Sequence, residues 1–204
     1  MVDTPVPLFH KAYIDMMFMP HAGGYRYIIQ AWCLLTAWPE WHVLQGETGQ
    51  TIGTFIFEEI MCRWGAASEI VTNNGTAYVT ALDWLADRYG ICHIHISVYN
   101  SRANSIVEWQ HRTIHDLLVK ACKGKPSRWP TVALYIFWAD CATTQKSTGH
   151  MLFYMAHGVE PILPFNITQA TFLITDLIKQ LTTEDLLAAR TCQLDKCPSD
   201  IAAI

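Results

Sequence analysis

Between residues 69 and 121 the chain switches repeatedly between two hydrophobic periods, and this alternation restricts the fold more than any other feature. Glu69-Ile70-Val71-Thr72 is short and β-branched and stops at Asn73-Asn74-Gly75, a strong turn signal. Leu82, Leu85 and Tyr89 then recur at helical spacing, which predicts a helix over 79–89. Over 91–98, Ile91, His93 and His95 alternate with Cys92, Ile94 and Ile96, as in a strand. From Ser101 to Ala121 the stripe of Ile106, Val107, Ile114, Leu117, Leu118 and Ala121 predicts a long helix. A strand–helix–strand–helix succession belongs to the α/β class.

Upstream, the β-branched and aromatic stretches 11–19 and 25–35 flank His21-Ala22-Gly23-Gly24 and read as a hairpin, with a third strand near Trp41 to Leu44. Ile52, Phe55, Ile56, Ile60 and Trp64 predict one helix from Gly49 to Trp64. Downstream, Pro126 and Pro130 bracket the end of the long helix, and a further helix runs from Val132 to Cys141. Thr148-Gly149 and the segment from Gly158 to Pro164 read as punctuation, and 172–189 as a helical tail outside the core. The pattern predicts a mixed sheet with helices on its faces, an arrangement that several α/β folds share.

Hydrophobic residues make up 51% of the 204 positions and charged residues 16%, the balance of a chain that buries a core. No uncharged apolar run reaches the length of a membrane span. Seven cysteines, an odd number without a secretory signal, argue for an intracellular chain rather than a disulfide framework. Cys192 and Cys197 have no second pair to complete a zinc site. The net charge of −4 argues against binding nucleic acid through bulk charge. Arg102, Arg112, Lys120, Lys123, Lys125 and Arg128 form either a local phosphate-binding patch or a solvated helix face.

Asp15 stands between Ile14 and Met16, inside an apolar strand where Asp is disfavoured. It reads as a site residue or as a strand-end cap. Glu108, on the long helix, reads by itself as a solvent-facing side chain. Its interest lies in its position, with 34 residues separating it from Asn73.

Taken in order, Tyr13-Ile14-Asp15, Ile70 to Thr76, Tyr99 to Glu108, Trp138-Ala139-Asp140, Thr148-Gly149 and Gly158-Val159-Glu160-Pro161 resemble the integrase catalytic core of retroviruses and Ty3/gypsy-like retrotransposons. The resemblance covers roughly residues 5–165. It implies an RNase H-like mixed five-stranded sheet flanked by helices over 1–165, with a helical C-terminal tail over 166–204. It also implies 3′-end processing and DNA strand transfer, the chemistry of DNA integration. Asp15, position 73 and Glu108 would be the catalytic residues and the ligands of Mg²⁺ or Mn²⁺. Carboxylates suit that task because hard cations prefer charged oxygens and two ions must clamp the attacking and leaving oxygens. Tyr99, Asn100, Arg102, Asn104 and Arg112 would contact DNA. DNA and a second copy of the core are the implied partners, with no membrane involved, and the nucleus is the implied location. No N-terminal zinc module is legible, which points to a polyprotein fragment or a remnant.

Three positions depart from that pattern. Asn73 stands in place of Asp, Ser105 in place of Gly, and Trp109 in place of a basic residue. Each change corresponds to a single C-to-T transition on one DNA strand or the other, as in a decaying element. Losing about 3 kcal/mol of transition-state stabilisation slows a reaction more than roughly a hundredfold. The expectation is therefore an impaired enzyme; the alternative is a non-catalytic nucleic-acid-binding or dimerisation module. His111, Arg112 and His115 follow Glu108 at helical spacings, either as phosphate contacts or as an exposed face. His93 and His95 share a strand face, as a metal pair without an evident third ligand or as a half-exposed surface.

Overall fold

The computed structural model describes residues 7–65, 67–73, 75–95 and 101–161, together with Glu184, Leu187 and Thr191; at 95 and over 101–110 the description is of the backbone. β1 (Lys11–Ala22) and β2 (Tyr25–Cys33) form the expected hairpin. Its turn is tighter than expected, because Gly23 and Gly24 take φ of 58° and 89°. Glycine adopts positive φ without steric penalty, so β1 continues through His21 and Ala22.

β3 (Pro39–Leu44) pairs antiparallel with β2, whereas β4 (Glu69–Thr72) lies parallel to β1 and β5 (Cys92–His95) parallel to β4. The result is the expected mixed five-stranded sheet, in the order β3-β2-β1-β4-β5. Strand alternation divides its two faces. Ala12, Ile14, Ile29, Ala31 and Ile70 enter one core with Ile52, Phe55, Ile56, Ile60, Leu82 and Leu85. Met17, Met19, Ile28 and Trp32 enter the other with Ile114, Leu117, Leu118, Trp129, Val132 and Phe137.

α1 (Gly49–Phe55) begins at a reciprocal capping box between Thr48 and Thr51. The helix expected to run unbroken to Trp64 instead widens into a π-helix over Ile56–Met61 before α2 (Cys62–Trp64). α3 (Thr76–Tyr89) starts three residues earlier than expected and stops at Gly90, which is left-handed. α4 (Ser101–Ala121) matches its pattern. α5 (Trp129–Cys141) follows a 3₁₀ turn over Pro126–Arg128 and starts before Pro130, not after it. Proline is tolerated in a first turn, where its missing N–H has no helical partner. The Trp129 indole fastens this start to β1 by donating to the Pro20 carbonyl at 2.6 Å.

One element was not anticipated, and one expectation needs correction. Between Thr148-Gly149 and Gly158 the chain forms α6 (Leu152–His157), a helix of six residues, too short for periodicity to reveal. The tail boundary at 165/166 lies outside the described residues. Leu187, however, is helical, 1% exposed and part of the second core, so at that point the tail does not lie outside it.

Candidate active site

β1 and β4 run parallel, with Tyr13 beside Val71. Two residues further on, Asp15 and Asn73 emerge together at the carboxyl end of β4, where ligand sites of α/β sheets form. Asp15 Oδ1 accepts the Met16 backbone N–H at 2.8 Å and lies 3.5 Å from Asn73 Nδ2. Its other oxygen, Oδ2, is 3.4 Å from His111 Nδ1 on α4. The Asp15 side chain is 32% exposed and that of His111 only 17%.

Asn73 Oδ1 accepts the Gly75 backbone N–H at 3.1 Å, the i to i+2 bond of an Asx turn. This turn carries the chain from β4 into α3. The amide orientation follows from its neighbours. Turning it over would set its NH₂ against the Gly75 N–H and its oxygen against a carboxylate oxygen. A Cβ at Gly75 would lie 3.1 Å from Asn73 Oδ1 and 3.2 Å from Tyr78 Cδ2, so a larger residue there needs those side chains to give by a few tenths of an ångström.

The site is open at Asn73 and half-buried at Asp15, and it deepens toward buried polar groups. Burial lowers the pKa of His111 and the Asp15 charge opposes that shift. Burial also raises that of Tyr78, reinforced by Asp15 and Glu47. Gln30, directly across from Asp15 on β2, is fully buried, and neither atom of its amide has a hydrogen-bond partner among the described residues. His111 Nε2 and Tyr78 OH are likewise buried without a partner among them.

The structure therefore brings together two of the expected site residues, Asp15 and Asn73. Glu108 lies on α4 three residues before His111, and its side chain lies outside the described residues. So do the side chains of Arg102 and Asn104, and Tyr99 and Asn100 altogether. Arg112 is exposed on α4. Residues 101–105 form the start of α4, as the helical pattern predicts, and Ser105 suits a helix better than glycine would. His93 meets Thr72 Oγ1 through Nε2 at 2.8 Å, and His95's side chain is not among those described. The reading of His111 as an exposed or phosphate-contacting residue is corrected: it faces Asp15. Its spacing of three from Glu108 was the available signal. Gln30 and Tyr78 gave none, because an amide or a phenol within an apolar run looks like ordinary core.

No protein-family model matches the chain. It is 31% identical over 102 residues to a Pol polyprotein of feline endogenous virus ECE1, covering 50% of this chain and 10% of that protein. The Pol polyprotein of transposon 412 from Drosophila melanogaster is 22% identical over 151 residues, 72% of this chain and 12% of that protein. A simian T-cell lymphotropic virus intasome, solved in complex with PP2A regulatory subunit B56 gamma, superposes with a TM-score of 0.62 at 17% identity. That match covers 80% of this chain and 59% of the matched chain. The fold is that of a retroviral-type integrase core. The chain spans about a tenth of the length of these Pol relatives.

The divalent ions that an integrase core implies can be tested against the donors described. Of the three implied ligands, the two whose side chains are described do not make a carboxylate pair. Asn73 presents an N–H, not an oxygen, toward Asp15, and its oxygen is already engaged by Gly75. Among the described residues no three His, Cys, Asp or Glu side chains converge.

Proposed function

We propose that this chain is an integrase-derived core that engages DNA but is impaired in 3′-end processing and strand transfer. The observation that carries this reading is the Asn73 amide, whose N–H faces Asp15 where a second carboxylate would share a cation. An amide donating to the neighbouring carboxylate removes one negative charge and replaces ion-mediated attraction with a direct contact.

DNA contact is assigned to Tyr99, Asn100, Arg102, Asn104 and Arg112. Support comes from the exposed cations Arg112, Lys120, Lys123 and Lys125 on α4 and the turn after it. Such a patch supplies the salt-dependent phosphate attraction that a chain of net charge −4 otherwise lacks. The expected location is nuclear. Residues 1–165 are assigned to the core and 166–204 to a tail.

The test is strand transfer on a labelled DNA end with Mg²⁺ and with Mn²⁺, comparing the chain with Asn73→Asp. DNA binding would be followed in parallel, with and without chelator. Joining by the Asn73→Asp protein alone, with DNA binding by both, supports the reading. Equal joining by both proteins rejects the impairment. Loss of binding in chelator rejects metal-independent engagement of DNA.

A further inference from the structure

A cleft of about 300 Å³ on the second-core face of the sheet holds a charge that the Asp15–Asn73 site does not use. Trp32, Ile114, Leu152 and Met155 contribute apolar walls, and none of the described lining residues is an expected site residue. Asp140, near the end of α5, is the sole ionisable group among those lining residues. It is 9% exposed, and its carboxyl has one described side-chain partner, the Gln145 amide, whose N–H donates to Oδ1 at 3.4 Å. Among the described residues no cation acts on it, and nearby Lys146 is exposed.

Burial pushes the pKa of this carboxyl up to about 6, and the Gln145 N–H opposes the shift only in part. At neutral pH the group is therefore still ionised, without a countercharge. An ionised buried acid lacking a partner is costly, and strongly perturbed groups gather at functional sites. A mostly apolar cleft with a few polar groups is the usual form of a binding site. Its complement is a positive head on an apolar stem, the build of a lysine or arginine side chain. The rim argues for a polypeptide source. Leu34 and Leu35, in the turn between β2 and β3, line the cleft yet are 54% and 57% exposed. That turn is fixed, with the Ala37 N–H donating to the Cys33 carbonyl at 2.9 Å and the Leu34 N–H to the Lys11 carbonyl at 3.0 Å. Two leucines held outward beside the cleft extend its apolar surface past what a single amine covers.

We infer that this cleft docks an apolar segment of a partner protein, which sets one lysine or arginine side chain against Asp140 and apolar neighbours against Leu34 and Leu35. Charge complementarity selects this occupant, because a neutral or acidic segment leaves the Asp140 carboxylate without a countercharge. The inference goes beyond the integrase reading and does not depend on it, since the cleft shares no residue with the Asp15–Asn73 site.

The experiment is methyl NMR titration of the full chain at pH 7.5 with three probes at millimolar concentration. These are a blocked leucine–lysine–leucine peptide, the same peptide with norleucine in place of lysine, and n-butylammonium. The lysine peptide should shift the methyl signals of Leu34, Leu35, Leu152 and Met155 and bind roughly tenfold or more tightly than the norleucine peptide. Asp140→Asn should abolish that preference while leaving the norleucine peptide unchanged. Leu34→Ser with Leu35→Ser, both at exposed positions, should weaken the lysine peptide. Equal binding of the two peptides to the unaltered chain overturns the pairing with Asp140, and this comparison needs no variant to fold. Binding of n-butylammonium as tight as that of the lysine peptide overturns the polypeptide occupant in favour of a small amine. Methyl signals unmoved by all three probes overturn the site.

Discussion

Asn73 and Asp15 are joined through the amide nitrogen of one and a carboxylate oxygen of the other, 3.5 Å apart, while the Asn73 oxygen closes the turn onto Gly75. One amide thus performs two local tasks, and both of its ends are committed before any ligand arrives. An Asp at 73 could still close the turn, since its Oδ1 would accept the Gly75 N–H. Its second oxygen would face Asp15 as a like charge.

That relationship yields a prediction about stability. Asn73→Asp should destabilise the metal-free chain by about 1–2 kcal/mol, from the lost contact and the added repulsion. For a chain of this size that is roughly 2–8 °C in Tm. Excess Mg²⁺ should restore most of this in Asn73→Asp and leave the unaltered chain unmoved. Thermal unfolding with and without Mg²⁺ measures it, and an equal Mg²⁺ response in both proteins would contradict the account.

Asp140 makes the pH dependence testable. It is buried in α5, its pKa pushed up to about 6 by desolvation, with the Gln145 amide N–H pulling weakly the other way. In the unfolded chain the group titrates near 3.8. Between those values the folded state holds the proton and the unfolded state does not, so this group's contribution declines as pH rises from about 4 to about 6. Above that range the charged form costs about 3 kcal/mol. Asp140→Asn should therefore stabilise the chain at pH 7.5 and change little at pH 4, as checked by urea unfolding at the two values. A gain of the same size at both pH values would count against burial as the cause.

Glu40 ties β3 to α2. It accepts the Trp38 indole at 3.1 Å and the Trp64 indole at 2.7 Å, and pairs with Arg63 at 3.1 Å. Burial raises its pKa, and the two indoles and Arg63 oppose that shift. Glu40→Ala should cost about 2–4 kcal/mol, because it strands two indole N–H groups. Glu40→Gln, which keeps an acceptor, should cost less than half as much. Chemical denaturation of the two variants separates them, and equal losses would show that the acceptor is unimportant.

Leu187 tests whether the tail belongs to the core. Its side chain closes a cleft of about 300 Å³ together with Trp32, Ile114, Leu152 and Met155. Leu187→Ala should cost about 2–4 kcal/mol, the usual range for a buried leucine. A loss under 0.5 kcal/mol, the range typical of surface positions, would return residues 166–204 to the role of an appendage.

The strand–helix order, the hairpin, the strand ending in the Asn-Asn-Gly turn and the long α4 were all legible in the sequence. Those elements are encoded by local period and turn chemistry, which act over a few residues. The π-helical stretch at Ile56–Met61 and the short α6 were not. The first is a register change within an otherwise helical pattern, and the second is shorter than two turns. The start of α5 was misplaced because a proline in a first turn resembles a helix break.

At the site, the chain by itself determined which residue types are available: an Asp inside an apolar strand, an Asn in place of a second carboxylate, and a Glu and a His spaced three apart on one helix. Only the tertiary structure decided what they do to one another. The parallel register of β1 and β4 brings Asp15 to Asn73, and packing of α4 over the same face turns His111 inward onto Asp15. Gln30 lies buried across from Asp15 on β2, without a partner among the described residues. Those contacts join residues from 15 to 111, and no local pattern encodes them. They depend on which face of each element the two cores bury, because that choice sets where every polar side chain must point.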